Sequence, residues 1–349
     1  MKYRTPPLLL PTLALAGALT GCSGGNPPPV TFKLTELAPL GGTESYAYAI
    51  NENGQVAGYA ATTGDSAAHA VLWTASKATD LGTLGGATSY GYAINAGGQI
   101  AGYSETSDTH HNDGAFWTGT RVTDLGPDAV ANGINAGAQI VGSVGGSIKH
   151  AVTWVEAAPI ELGTFGGQES NATAINDGGW IVGYSELQGG SATHAVLWKG
   201  TAPTDLGTLG GHYSFAMAVN NGGQIAGYAG LAGDSPTHAA LWNGATPTDL
   251  GTLGGTSSMA LGISDTGLVV GSSTIRGDSA IHATLWIGRT IYDLNDLLDA
   301  SGRGWTLVEA RDINFAGQIV GWGQTASGQK HAFLLTPTKP IPLPPKSGS

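Results

Sequence analysis

One heptapeptide recurs along this chain at nearly constant spacing. Asp80-Leu81-Gly82-Thr83-Leu84-Gly85-Gly86 returns at Asp205 to Gly211 and Asp249 to Gly255, with looser copies starting at Glu36, Asp124, Glu161 and Asp293, mostly 44 residues apart. A period of about 40–45 residues carrying several short strands is the length of one propeller blade. The 349 residues are therefore expected to form one repeat domain rather than two unrelated ones.

Within the unit around Tyr46, four segments read as strands: Tyr46 to Asn51 (a), Gln55 to Tyr59 (b), His69 to Trp73 (c) and Ala78 to Leu81 (d). Short runs rich in Ile, Val, Tyr and Trp between Gly-containing turns are the signal of a β-meander. The a–b turn begins at Asn51, Asn95, Asn176, Asn220 and Asn314 and has a glycine three residues later, with departures at Ala138 and Ser264. Asn can bond its own backbone two residues on, and Gly accepts the left-handed conformation, so these asparagines read as turn builders.

Comparing the copies separates what is constant from what varies. The turn position lies 7 residues before a strand-b glycine in every unit, from Gly58 to Gly321, and strand c starts 11 residues before the strand-d acid. The b–c connection instead runs 11, 11, 8, 11, 11, 11 and 10 residues, and the d–a connection 15, 15, 11, 15, 15, 15 and 21. In a meander those two connections share one end of the sheet. One face of the disc is thus expected to be constant and the other variable, and variable loops on a rigid scaffold are where recognition usually lies.

The chain opens on a lone d-type strand, Thr31 to Leu37, and closes on a, b and c strands ending at Leu335. Six complete units plus three strands plus one make seven. The fold expected is an all-β, seven-bladed β-propeller of four-stranded repeats over 31–336, with the N-terminal strand completing the last blade so that no edge stays open. Residues 337–349 read as a proline-rich disordered tail, and 22–30 as a tether.

The first residues carry an export signal: Lys2 and Arg4, an apolar stretch from Leu8 to Leu19, then Leu19-Thr20-Gly21-Cys22. These last four residues resemble the lipobox of bacterial lipoproteins. The resemblance implies cleavage after residue 21, a diacylglycerol thioether on Cys22 and, with Ser23 next, an outer-membrane or surface location. Cys22 is the only cysteine, which excludes disulfides and CxxC metal sites. The net charge of −11 leaves no basic stripe for nucleic acid.

The units resemble the HAF repeats of bacterial extracellular proteins, in His194-Ala-Val-Leu-Trp198, in Asp205 to Gly211 and in Ala218-Val-Asn-Asn-Gly-Gly-Gln-Ile-Ala-Gly227. The resemblance spans Thr31 to Leu335 and implies an exported protein. It implies no catalytic residue. Asp113 in place of His, Glu36 and Glu161 in place of Asp, and Leu335 in place of Trp depart from the pattern.

Residues repeated once per blade cannot converge on one ligand unless they line the axis. The histidines His69, His150, His194, His238, His282 and His331 and the acids Asp80, Asp124, Asp205, Asp249 and Asp293 are therefore read as buried polar pairs between strands c and d. Trp73, Trp117, Trp154, Trp198, Trp242 and Trp286 read as interblade packing.

Candidate ligand-binding residues are sought where the repeat fails. His110, His111 and Asp113 lie in the second b–c loop and offer metal-ligand types, though whether a metal binds there is left open. The insertion before the last unit adds Asp296, Asp299, Arg303 and Trp305, a set suited to a sugar or peptide. Gly-Asp-Ser at Gly64, Gly233 and Gly277 lacks the further carboxylates of a calcium loop. Asn171-Ala-Thr173 is a glycosylation sequon by pattern only.

The function expected is that of a lipid-anchored, monomeric binding or scaffold module for a glycan, peptide or protein, without a cofactor. The alternatives are a carbohydrate-active hydrolase or lyase on the same scaffold, needing a carboxylate pair, and a structural envelope or matrix component.

Overall fold

The computed structural model describes residues 30–107, 112–155 and 157–343. It is built of antiparallel strands with a few short 3-10 turns, and no α-helix occurs among the described residues. The strands group in fours. In the first group Gly41–Ile50, Val56–Thr62, Ala68–Thr74 and Lys77–Asp80 pair in chain order, and the same order recurs downstream. Strand a starts earlier than expected, at Gly41, because the Gly-Gly that ends five of the seven heptapeptide copies leads directly into it. Gly41 sits at φ +96°, a conformation that favours glycine.

The final group is assembled from both ends of the chain. Thr306–Ile313, Ile319–Gln324 and Lys330–Pro337 are joined by Phe32–Leu37, in register from Phe32 opposite Pro337 to Leu37 opposite Ala332. The clasp extends past the strand, since Thr338 N donates to Thr31 O at 2.9 Å and Ile341 is buried in the last core. Residues 337–343 are thus docked rather than a disordered tail; an isoleucine among prolines found an apolar seat beside Gly317. The export segment, Cys22 and residues 344–349 lie outside the described residues.

Apolar side chains pack between successive groups, not within one. Trp73, Val56 and Ile50 of the first group share a core with Val320, Ala332 and Leu334 of the last. Five fully buried tryptophans, Trp73, Trp117, Trp198, Trp242 and Trp286, sit in such seams. The indole N–H of Trp73 reaches Ala38 O at 3.0 Å, and that of Trp242 reaches Leu206 O at 2.8 Å, so the ring fills the seam while its polar edge is satisfied. A serine missed by pattern reading does the same job by hydrogen bonding. Ser89 Oγ accepts from Ala70 N (2.8 Å) and donates to Gly82 O (2.7 Å), and Ser45 Oγ accepts from Ala332 N across the chain ends (3.0 Å).

The invariant strand-b glycine has a steric cause. Strand a bulges between Ala47 and Ala49 opposite Gly58, pressing its backbone inward. A Cβ on Gly58 would stand 1.9 Å from Tyr46 O, and the equivalents on Gly102, Gly183 and Gly271 are as close to their partners.

The histidine–acid pairs form, and most stay partly open to water, although His282–Asp293 is more enclosed and His331 is itself buried. His69 Nδ1 lies 2.9 Å from Asp80 Oδ2, with side-chain exposures of 23% and 45%; His194 with Asp205 and His238 with Asp249 repeat this. Strand d is the outer edge of its sheet and leaves the carboxylate one side in water. Asp80 also accepts from Gly82 N at 2.8 Å, starting the turn into the next unit. In the shortened third unit the pair loosens to 4.0 Å between His150 and Glu161.

Candidate functional site

The turn asparagines do more than build turns. Asn51 Oδ1 accepts from Asn53 N and Gln55 N, both at 3.0 Å, as expected of a turn builder. Its Nδ2 donates to the carbonyl of the next unit's asparagine, Asn95, at 3.0 Å. The relay continues from Asn95 to Asn135, Asn135 to Asn176, Asn176 to Asn220 and Asn220 to Ser264, and returns from Asn314 to Asn51. It encircles a narrow opening of about 240 Å³. Only the step leaving Ser264 lacks this bond among the described residues, because a serine side chain is too short.

Above this ring lies a cavity of about 730 Å³, lined by the first strand of every four-stranded group. Three residues before each turn position, one side chain per group faces it: Tyr48, Tyr92, Asn132, Thr173, Met217, Leu261 and Arg311. The turn position hardly varies around the ring, whereas this position changes almost every time. A wall built by repetition is thereby made asymmetric.

On one side the cavity wall is aromatic, with Tyr46, Tyr48 and Tyr92 lining it, and Tyr59, Tyr90 and Tyr103 continue the cluster beyond the lining residues. Tyr46 stacks on Tyr59 (centroids 5.7 Å apart, 9° between planes) and Tyr90 on Tyr103 (4.9 Å, 16°), with Tyr59 and Tyr90 4.5 Å apart across the seam. Tyr48 meets Tyr92 edge to face at 4.8 Å. Burial pushes these phenols up, Tyr59 and Tyr103 each to about 12, so they remain neutral hydroxyls. Tyr184, Phe215 and Tyr228 form a smaller aromatic group among the lining residues.

The charged members come from the last group. Arg311 stands with its guanidinium carbon 5.2 Å from the Tyr48 ring centre and its Nη1 3.3 Å from Glu309 Oε1. Tyr46 Oη donates to that same oxygen at 2.7 Å. Asp312 accepts from Ile50 N (2.9 Å) and Ile313 N (2.8 Å). Its surroundings still exclude enough water to push its carboxyl up to about 7, burial outweighing the two N–H groups.

Those residues nominated from the loops that the structure describes lie elsewhere. His110 and His111 fall outside the described residues. Asp113 is buried opposite Ser104 in the second group, whereas Asp296 to Trp305 lie beside the last, and the first group stands between. The insertion packs onto the N-terminal strand: Leu294 and Leu297 are buried, and Ser301 Oγ accepts from Leu34 N at 2.7 Å. Asp299 caps the short turn there, its carboxyl held low by Ser301, which donates from N at 2.8 Å. Asp296 keeps much of its surface in water on its turn, and partial desolvation of the carboxyl, then the neighbouring Asp293 charge, raises its pKa. Arg303 is exposed and Trp305 packs 6.5 Å from the His331 ring. None of the nominated residues that the structure describes lines the cavity.

The Gly-Asp-Ser aspartates are staples. Asp65 accepts from Thr43 N at 2.7 Å and Asp278 from Thr256 N at 2.7 Å, tying each b–c loop to the start of its own strand a. Glu105 and Glu186 do the same from strand b, accepting from Ala87 N and Gln168 N.

No protein-family model matches the chain, and no curated protein sequence matches it. Among solved structures, the β-propeller domain of the trilobed protease from Pyrococcus furiosus is similar over 86% of this chain and 100% of its own, with a TM-score of 0.55 and 13% identity. TolB from Acinetobacter baumannii aligns over 82% of this chain and 64% of its own, with a TM-score of 0.48 and 10% identity. The first domain is described as having an open velcro topology; here Phe32–Leu37 pairs with Lys330–Pro337 and joins the two ends. At such identity the likeness is one of fold: an all-β chain with a propeller-like architecture.

Proposed function

We propose that this chain is an exported, lipid-anchored seven-bladed β-propeller, closed by its N-terminal strand, that serves as a binding module through the wide mouth of its central cavity. The observation that carries the reading is the cavity wall, where one repeat position supplies Tyr48, Tyr92, Asn132, Thr173, Met217, Leu261 and Arg311 around a space of about 730 Å³. Concave, mixed aromatic and polar pockets of about 300–1,000 Å³ are where small ligands bind. A scaffold role alone does not call for a tyrosine cluster on that wall.

The orientation suits an anchored receptor. Pro337 lies beside Gly317 of an a–b turn and opposite Phe32, so the chain enters the body on the turn face. A lipid on Cys22 would place that face toward the membrane and the wide mouth away from it. The hydrolase alternative gains less support, since Glu309 is engaged by Tyr46 and Arg311 and Asp312 by two backbone N–H groups.

Two experiments test the reading. Thermal-shift screening of the full chain against mixed glycans and peptides is compared with Tyr48→Ala and Arg311→Ala; a ligand that both variants bind as well as the wild type sinks the cavity as the site. Membrane fractionation of Cys22→Ala tests the anchor, and retention of the variant in the membrane fraction rules it out.

A further inference from the structure

We propose that the cavity takes a neutral saccharide, its apolar ring faces lying on the tyrosines Tyr46, Tyr48 and Tyr92 of the wall. This inference rests on the binding-module reading and narrows it to one chemical class.

Charge decides first. Among the described residues Arg311 is the only cationic side chain lining the cavity, and Glu309 lies against it at 3.3 Å. An anionic ligand would gain no unopposed cation, and it would approach a body of net charge −11. A cationic ligand would have to compete for carboxylates already engaged, Glu309 by Tyr46 Oη and Arg311, Asp312 by Ile50 N and Ile313 N. The site is matched to a ligand without net charge.

The kind of neutral ligand follows from the walls. Tyrosine offers an apolar face and a hydroxyl at its edge, and the wall repeats that combination at several tilts, from 36° between Tyr46 and Tyr48 to 81° between Tyr48 and Tyr92. A pyranose has the complementary form, with C–H groups on its faces and hydroxyls around its rim. A guanidinium and phenols still supply donors, since Arg311 carries five N–H groups and burial keeps the phenols of Tyr46, Tyr48 and Tyr92 protonated.

A peptide is less well served. Strand addition needs open backbone groups, but at several points the inner strands are already occupied by a neighbouring group's side chain. Asp312 takes Ile50 N at 2.9 Å, Asn132 takes Ala172 O at 2.9 Å and Thr173 takes Ala216 O at 2.7 Å.

The test is isothermal titration of the full chain with neutral oligosaccharides (cello-, malto- and chito-hexaoses), with an acidic one (oligogalacturonate) and with an unstructured peptide library. At least one neutral hexaose is expected to bind. Raising salt to about 0.5 M should leave its affinity nearly unchanged, as for an uncharged ligand. Tyr48→Ala should weaken it about tenfold, the loss of one aromatic contact with its buried area, while Tyr48→Phe, which keeps the ring, should stay near wild type. Saturation-transfer NMR on the wild type gives a readout independent of variant folding, with sugar C–H signals receiving magnetisation from tyrosine rings. Tyr48-dependent binding of only the acidic sugar or only peptides overturns the saccharide assignment and leaves the binding module standing. No binding by any of these probes overturns both.

Discussion

The side-chain amide of Asn314 donates to the backbone carbonyl of Asn51 at 3.1 Å, joining residues 263 positions apart in sequence. It is the same bond that Asn51 makes to Asn95 at a separation of 44, so the first and last groups meet as any two neighbours do. Backbone ties at the axis, a shared apolar seam and the N-terminal strand at the rim act together there.

The relay makes its own gap informative. Ser264→Asn restores the missing donor toward the Asn314 carbonyl and should stabilise the protein by about 1 kcal/mol, the usual net worth of a buried hydrogen bond. Urea unfolding should show a higher midpoint with an unchanged slope. A lower midpoint would mean that the turn at Ser264 has a geometry of its own.

The pairing of Phe32–Leu37 with Lys330–Pro337 predicts a large cost for Phe32→Ala. Phe32 is fully buried, and its removal should destabilise by about 3–5 kcal/mol. Deleting 31–37 should lower the thermal midpoint further and expose the edge of Lys330–Pro337. An unchanged melting curve on deletion would refute closure by this strand.

Gly58→Ala should cost at least about 1–3 kcal/mol, the range for overpacking a tight interior, because its Cβ would meet Tyr46 O at 1.9 Å. Gly146→Ala is the control: nothing lies within 4 Å of a Cβ there and its φ is not positive, so stability should stay within about 0.5 kcal/mol. Equal melts for both variants would show that the bulge yields easily.

Asp312 predicts a pH dependence of definite sign. Its carboxyl is raised from 3.8 to about 7 in the fold, so between those values the native state holds a proton that the unfolded chain releases. Stability from this group is complete below about pH 4 and is lost as pH rises toward 7, the reverse of an ion-paired carboxylate. Denaturant titrations of wild type and Asp312→Asn at pH 4, 5, 6 and 7 isolate it: the wild type should lose ground to the variant as pH rises. A constant difference across the series would exclude the raised carboxyl.

Much of the architecture was legible in the sequence because its determinants are local and repeated. The Asn-to-Gly interval marks a hairpin turn and a bulge, the 11-residue interval from His69 to Asp80 marks a c–d pair, and the lone strand before Leu37 matches the strand missing after Leu335. The pairs were expected to be buried and most are half open, since the pattern shows which strand carries the acid but not that this strand is an outer edge. The cavity wall was written in the sequence too, at the position three before each turn asparagine. Loop lengths do not reveal it, because the variation lies inside strands of constant length.

Period, turn chemistry and strand pairing were settled by the sequence alone, because each depends on residues within one unit of about 44. The cavity was decided only by tertiary structure. Tyr48, Tyr92 and Arg311 are unremarkable as members of three separate strands; they become one surface when the groups are packed about a common axis, which places equivalent positions of distant units side by side.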